Sequence, residues 1–394
     1  MKKNLLYITH STLSKSETFL RDTIKYLSAE FNMTFASGGK NGDLIKGVKT
    51  LYTNYYYPRL YNKLLWFLVT KISKKSTQFH HWESRIKHTF RNLKKIDGRF
   101  DFALVEYGES AVLAYDFLKS KSIPFGITFH GYDASTLFGD REYTKRVLAV
   151  SKDAKFIFVP SKHIRNRLVL ENFDSSKIHI APCDPNYEVI NSLPKPVINK
   201  NLVVSLGRLT NKKCPEALIL TAKHVLKHKS NTQFLIIGGG AHYNYYQDLI
   251  KFHGIEDNVI LKGSVNHIDA LKLLSECVVF IQHSVTSAFG DQEGFPVSIA
   301  EASLLKKPIV STIHSGITEG VIHEETGFLV QEHDFESMGD YILKLLSDLK
   351  LANEMGNNGC EFISKSLPNN FRNKLLSKNI TSFINENISH NKSS

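Results

Sequence analysis

Short apolar runs alternate with longer amphipathic stretches along almost the whole chain. Strands buried on both faces of a parallel sheet read as continuous hydrophobic runs, and amphipathic stretches between them supply covering helices, so the pattern predicts β-α-β units. Leu5–Thr9, Phe102–Val105, Phe125–Phe129 and Phe156–Pro160 form a first series of expected strands. Leu202–Leu206, Phe234–Ile237, Val259–Leu261, Val278–Ile281 and Pro308–Ser311 form a second. The stretch between the series holds Pro185, Pro194 and Pro196 and lacks periodicity, as an interdomain linker would. The fold class that follows is α/β, with two Rossmann-like doubly wound domains separated by a cleft.

Length agrees, since 394 residues exceed one ordinary core and suit two domains of comparable size. A hydrophobic fraction of 42% with 22% charged residues excludes the composition of a disordered chain. Charge changes the picture more. The net +12 is unevenly held: residues 1–200 carry 32 basic and 18 acidic side chains, a balance of +14, whereas residues 201–394 carry 18 and 20, a balance of −2. The first half therefore suits an anionic partner, either nucleic acid or an acidic membrane leaflet, that the second half does not share. Cys183, Cys214, Cys277 and Cys360 are scattered and form no C-x-x-C pair, which argues against a disulfide framework or zinc site and fits a reducing cytoplasm. The apolar residues after Lys2 and Lys3 are too few for a signal sequence and read as a first strand. No apolar run approaches the roughly 20 residues that span a bilayer. The densest, Leu64–Val69, is bounded by lysines, and the polar tail from His390 is expected to fray.

The most informative stretch for chemistry runs from Gly290 through Asp291, Gln292, Glu293, Gly294, Phe295, Pro296 and Val297 to Glu301. Pro296 suits the first turn of a helix, whose N-terminal amides and partial positive charge could seat a phosphate against Gly294–Val297. Glu293, just before that helix, and Glu301, inside it, could accept hydrogen bonds from sugar hydroxyls. Taken alone, two glutamates eight apart also read as solvated surface charges. The run Val203–Lys213 reads as a strand ending in a glycine turn at Gly207, with Arg208 and Lys213 at the carboxyl end, where ligands of doubly wound sheets bind. The sequence has no D-x-D, the carboxylate pair that commonly holds a divalent ion on a sugar nucleotide. Arg208, Lys213 and a helix terminus would then stabilise a leaving diphosphate without metal. Gly238–Gly240 could let a nucleotide pass close to the backbone, but Tyr243 stands where a dinucleotide fingerprint needs glycine, so NAD is not expected. In the first half, His130 follows a strand and precedes Gly131, placed either to reach across the cleft or to bond the local backbone. Ser16-Glu17-Thr18-Phe19 reads as a helix cap or as an acceptor contact.

In order, Ser16–Phe19, His130-Gly131-Tyr132-Asp133, Gly207-Arg208 with Lys213, Gly290–Pro296 with Glu301, and His314–Ile317 with Thr326–Val330 resemble glycosyltransferase family 4, the retaining GT-B enzymes, and particularly their capsule and exopolysaccharide (colanic-acid-type) branch. The resemblance spans nearly the whole chain and implies a metal-independent hexosyltransferase of bacterial surface polysaccharide synthesis. By it, the donor is a UDP- or GDP-linked sugar, the acceptor a glycan or lipid-linked saccharide, and no cofactor is needed. Donor contacts fall to Gly207, Arg208, Lys213, Gly238, Gly240, Glu293, Gly294, Phe295, Pro296, Val297 and Glu301. His130, Glu293, Arg208 and Lys213 act at the reacting centre, while Ser16, Glu17, Thr18, His130 and Asp133 lie on the acceptor side. The domain division is then 1–185 for the acceptor, 186–199 as linker, 200–375 for the donor, and 376–394 as a C-terminal helix returning to the N-terminal domain. The chain departs from the family pattern at Cys214, Thr318 and Cys183.

Two other readings compete. A GT-B sugar-nucleotide epimerase or hydrolase would not need the basic, aromatic segment 55–95. A nucleic-acid-binding protein fits the basic half, but no RNP, helix-turn-helix or zinc-finger signature is present. Segment 55–95 combines Tyr55–Tyr57 and Trp66 with Lys71, Lys74, Lys75, Arg85, Lys87, Arg91, Lys94 and Lys95. It is expected to dock a cytoplasmic enzyme on the anionic inner face of the cell membrane, the alternative being that its apolar stripe packs in the core.

Overall fold

The computed structural model describes residues 2–10, 17–38, 48–52 and 76–393. The chain divides into two compact units, one of Met1–Pro160, Ile164–Ala181 and Arg372–Ser394, the other of Ser161–His163 and Pro182–Phe371.

In the first unit the described strands are β1 (Asn4–Thr9), β2 (Asn32–Ser37), β3 (Lys49–Tyr52), β4 (Phe102–Glu106), β5 (Phe125–Thr128), β6 (Phe156–Val159) and β7 (Ile178–Ile180). They pair in parallel in the order β3-β2-β1-β4-β5-β6-β7. Chain direction reverses its progress across the sheet between β1 and β4, and such a switch point opens a crevice at the strands' carboxyl ends. Register sets Thr9 beside Glu106 and Glu106 beside Thr128, so three polar side chains align on that rim. β2, β3 and β7 escape a search for apolar runs: β2 reads Asn-Met-Thr-Phe-Ala-Ser, and β3 and β7 are four and three residues long.

The helix Phe371–Ser393 packs Leu376, Ile380 and Ile384 onto Leu5, Tyr7, Phe102 and Leu104 of this sheet. Helix Thr77–Leu93 buries Trp82, Ile86 and Leu93 in the same unit. Arg85, counted above among membrane-facing bases, is instead buried and paired with Glu109 at 2.5 Å. Residues 53–75, which include Tyr55–Tyr57, Trp66, Lys71, Lys74 and Lys75 of the expected docking segment, lie outside the described residues, as does Ser16. No described helix is long and apolar enough to cross a membrane.

In the second unit β8 (Leu202–Leu206), β9 (Gln233–Ile237), β10 (Val259–Gly263), β11 (Val279–Gln282), β12 (Ile309–Thr312) and β13 (Gly327–Val330) pair in parallel in the order β10-β9-β8-β11-β12-β13. The switch point falls between β8 and β11, which brings the loop after Leu206 beside the loop after Gln282. The stretch expected to be a linker holds a short helix, Tyr187–Ser192, capped by Asn186 and tied by the Tyr187 hydroxyl to the Leu367 carbonyl at 2.7 Å. The helix expected to start at Pro296 begins at Val297, with Pro296 as its extended N-cap.

Candidate functional site

Topology alone brings the second unit's site together. The β8 loop carries Arg208 and Lys213, and the β11 loop carries Glu293 immediately before helix Val297–Leu304. Lys213 Nζ lies 3.0 Å from Glu293 Oε1, with both side chains largely withdrawn from water. Burial pushes the Lys213 ammonium below its usual value even against the attraction of Glu293. Burial alone would raise the Glu293 carboxyl, but the charges of Lys213 and Lys212 outweigh it and hold it at about 2. Arg208 is exposed and makes no side-chain hydrogen bond or ion pair among the described residues, so its charge is available to a ligand.

The loop bearing Glu293 is held on several sides. Lys212 Nζ donates to Asp291 Oδ1 at 3.1 Å and to the Gln292 carbonyl at 3.2 Å. His314 Nε2 accepts from the Glu293 amide at 3.1 Å, while Nδ1 faces Glu332 Oε1 at 2.6 Å. The Ser315 hydroxyl donates to the Glu293 carbonyl. The Ser284 hydroxyl reaches Glu293 Oε1 at 3.4 Å, and Gln282 links Ser284 to Ser298 in the first turn of the helix. Such anchoring fixes a site carboxylate to within the tolerance that ligand positioning demands.

Glu301 is buried on the same helix, with His267 Nε2 2.7 Å from its Oε1. Gly294, Phe295, Pro296 and Val297 form the entry to that helix, and Phe295 buries its ring against Ile363 and Leu367. Gly238 has φ +147°, and a Cβ there would be driven into the Gly207 carbonyl oxygen; a Cβ on Gly240 would strike the Leu209 carbonyl. These glycines let the β8 and β9 loops touch, joined by Gly207 N–H to the Ile237 carbonyl and Leu209 N–H to the Gly239 carbonyl, both 2.9 Å.

The first unit gathers its own polar cluster at the β1/β4 switch point. His130, after β5, pairs through Nε2 with Glu106 Oε2 at 2.6 Å. Glu106 is completely buried and also takes the Tyr7 hydroxyl at 2.5 Å, the Thr128 hydroxyl, and Arg372 Nη2 at 2.9 Å. Tyr107 follows in the left-handed region at φ 73°, which strains a non-glycine residue. That turn puts its ring 4.7 Å from the His130 ring and its hydroxyl 2.6 Å from Glu17 Oε1. Glu17, the N-cap of helix Thr18–Glu30, thus meets Tyr107, and its side chain makes no capping bond. Asp133 is spent on the loop itself, accepting the His130, Gly131 and Gly108 amides at 2.9, 3.1 and 2.9 Å. His10, after β1, contacts Ser110 at 2.8 Å and Glu109 at 3.3 Å, and burial pushes its imidazole below the usual value.

Sequence reasoning missed Glu106, Tyr107, Arg372 and His267. A carboxylate closing a buried strand, as in Phe102-Ala-Leu-Val-Glu106, was a readable signal. Arg372 had none, since its partner lies 266 positions away.

Residues 191–362 match the family described as glycosyl transferases group 1. The chain is 28% identical over 252 residues to the amylovoran biosynthesis glycosyltransferase AmsK of Erwinia amylovora, covering 62% of this chain and 61% of that protein. It is likewise 28% identical over 245 residues to a putative colanic acid biosynthesis glycosyltransferase, WcaL, of Escherichia coli K12, covering 61% and 60%. The matched stretches thus span about three fifths of these relatives' length. Among solved structures, Anabaena HepE in complex with UDP aligns over 97% of this chain and 100% of its own at TM-score 0.72 and 15% identity. A mutant of S. aureus TarM in complex with fondaparinux, alpha-GlcNAc-glycerol and UDP aligns over 98% and 100% at TM-score 0.73 and 14% identity. The fold is of the GT-B type, with two parallel-sheet α/β domains.

Proposed function

We propose that this chain, whose residues 191–362 match the group 1 glycosyl transferases, is a retaining glycosyltransferase of surface polysaccharide synthesis. It moves a hexose from a UDP- or GDP-linked donor to a glycan or lipid-linked saccharide. One observation carries the reading: the β8/β11 switch point holds the available Arg208, the Lys213–Glu293 pair and a helix N-terminus together. Two cations and free helix amides suit a diphosphate, and an ionised carboxylate beside them suits sugar hydroxyls. The names of the relatives, AmsK and WcaL among them, support the polysaccharide context.

In the reaction the bond between the sugar's anomeric carbon and the β-phosphate oxygen breaks, and its electron pair leaves with the nucleoside diphosphate. The acceptor hydroxyl oxygen bonds the same face of that carbon and passes its proton to the departing phosphate, so no protein nucleophile takes part. Arg208 and Lys213 stabilise the charge that develops on the diphosphate. Glu293, held ionised, orients the transferred sugar, Glu301 takes the ribose hydroxyls, and His130 meets the sugar from the acceptor side. The test is a thermal-shift screen of UDP-, GDP-, ADP- and CMP-sugars followed by product analysis with candidate acceptors. Failure of every nucleotide sugar to raise the melting temperature would refute the donor site. Transfer is expected to continue in EDTA; activity lost with chelator and restored by magnesium or manganese would refute metal independence. Docking on the inner membrane face through 55–95 is tested by co-sedimentation with acidic and neutral liposomes at low salt, and equal binding to both refutes it.

A further inference from the structure

We infer that the cavity at the amino ends of β4, β5 and β6 binds an organic phosphomonoester, with Arg99, Lys121 and Lys155 as its cations. It is independent of the proposed transfer reaction, because it lies at the opposite end of the first sheet from His130, which follows the carboxyl end of β5.

The cavity measures about 820 Å³, within the roughly 300–1,000 Å³ of small-molecule sites. Topology gathers its charges. Arg99 stands just ahead of β4, Lys121 ahead of β5 and Lys155 at the entry to β6, and these strands are neighbours in one parallel sheet, spaced about 4.8 Å apart. All three side chains are exposed, and none makes a hydrogen bond or ion pair among the described residues; Lys155 Nζ lies 5.8 Å from the centre of the Phe383 ring. Lys119, also on the cavity wall, is engaged, with its Nζ 4.0 Å from Asp153 and 3.3 Å from the Tyr115 hydroxyl. The lining thus sets four cations against Asp101 and Asp153, a surplus of two positive charges. One phosphomonoester brings about −1.5 to −2 at neutral pH and matches that surplus, whereas a single carboxylate would leave half of it unanswered. Helices Gly108–Ser120 and Arg141–Asp153 end at this edge, and the partial negative charge of their last turns is met by Lys119 and Lys152, so Lys121 and Lys155, which lie past those turns, are left for a ligand. The backbone beneath the three cations is anchored: the Ile123 N–H bonds the Leu118 carbonyl at 2.9 Å, the Lys155 N–H the Phe125 carbonyl at 2.8 Å, and the Asp101 N–H the Asn4 carbonyl at 2.9 Å. Loops already ordered spare the ligand that cost. Half-buried Phe100, Tyr115 and Phe383 supply walls on which a body with an apolar face can lie.

Lysine footprinting reads the cavity directly. Acetylation of exposed amines followed by mass spectrometry should show Lys121 and Lys155 shielded by phenyl phosphate at concentrations that leave the exposed Lys350 of the second unit reactive, while Lys213 reports separately on the diphosphate site. Inorganic phosphate should shield them more weakly, since it has no body to lie on the rings; equal potency overturns the organic ligand. Arg99→Glu removes a cation without touching either reporter, and should raise the half-shielding concentration by at least about tenfold. An unchanged midpoint in that variant overturns the inference. Phosphatidylcholine vesicles with and without phosphatidic acid separate the two sources of a phosphomonoester. Shielding by the acidic vesicles that phenyl phosphate competes away assigns the phosphate to a lipid headgroup, and shielding by phenyl phosphate alone assigns it to a free organic phosphate. If neither shields Lys121 and Lys155 more than Lys350, the cavity is not a phosphate site.

Discussion

Replacing Glu293 with glutamine measures how strongly the second unit's site is tied to charge. The wild-type carboxyl titrates at about 2 instead of 4.5, because Lys213 at 3.0 Å and Lys212 overcome the cost of burial. A carboxyl whose folded value lies below its unfolded value binds fewer protons when folded, so it stabilises above the unfolded value and loses that contribution as pH falls toward the folded one. The interval from 4.5 to about 2 corresponds to about 3 kcal/mol at neutral pH. Of this, about 2 kcal/mol should be gone at pH 3, since at that pH the unfolded carboxyl is almost fully protonated while the folded one is not. Glutamine cannot titrate, so the stability difference between wild type and Glu293→Gln should narrow by that amount between pH 5.5 and pH 3. Amide hydrogen exchange in β8 and β11 reads it locally, independently of how the other unit responds to acid. A difference constant to within about 0.5 kcal/mol over this range would show that Glu293 is not held ionised by the lysines.

Arg208→Ala should weaken binding of the diphosphate donor by about tenfold to a hundredfold, measured by calorimetry, without lowering the melting temperature, because the side chain is exposed and bonded to nothing among the described residues; a large drop in stability would contradict this. Gly238→Ala should cost at least about 2 kcal/mol in denaturant unfolding, since a Cβ there collides with the Gly207 carbonyl at φ +147°; a wild-type transition would refute the close approach of the two loops. Ile380→Asp, which puts a carboxylate under the first sheet at a fully buried position, should unfold that unit or expose β1 and β4 to rapid exchange. Unchanged protection would show that the C-terminal helix is not part of that core.

The fold was legible because its signal is local. Nine strands announced themselves as continuous apolar runs, and each lies within a residue or two of its expected place. β2, β3 and β7, polar or very short, carried no such signal and are held by pairing with neighbours. β13 lay inside a motif, Thr326–Val330, and was not read as a strand.

For the second unit, the residues of the candidate site could be named from the sequence: Arg208, Lys213, Glu293 and Glu301 stand beside glycines and a proline that mark strand and helix ends. What they do to one another was not. That Lys213 meets Glu293 across 80 positions, that His267 meets Glu301 across 34, and that His314 anchors the Glu293 loop depend on strand order, which composition and periodicity do not encode. In the first unit the gap is wider. His130 and Asp133 were named, but that Asp133 accepts three amides of the loop, and that His130 shares the Glu106 carboxylate with Arg372, carried no signal along the chain. Nine strands, and the polar residues that end several of them, were readable along the chain because hydrophobic burial and backbone geometry act over a few residues. Which of those ends share a carboxylate came from the folded arrangement alone, because electrostatic pairing in a buried site depends on distance in space and is indifferent to distance along the chain.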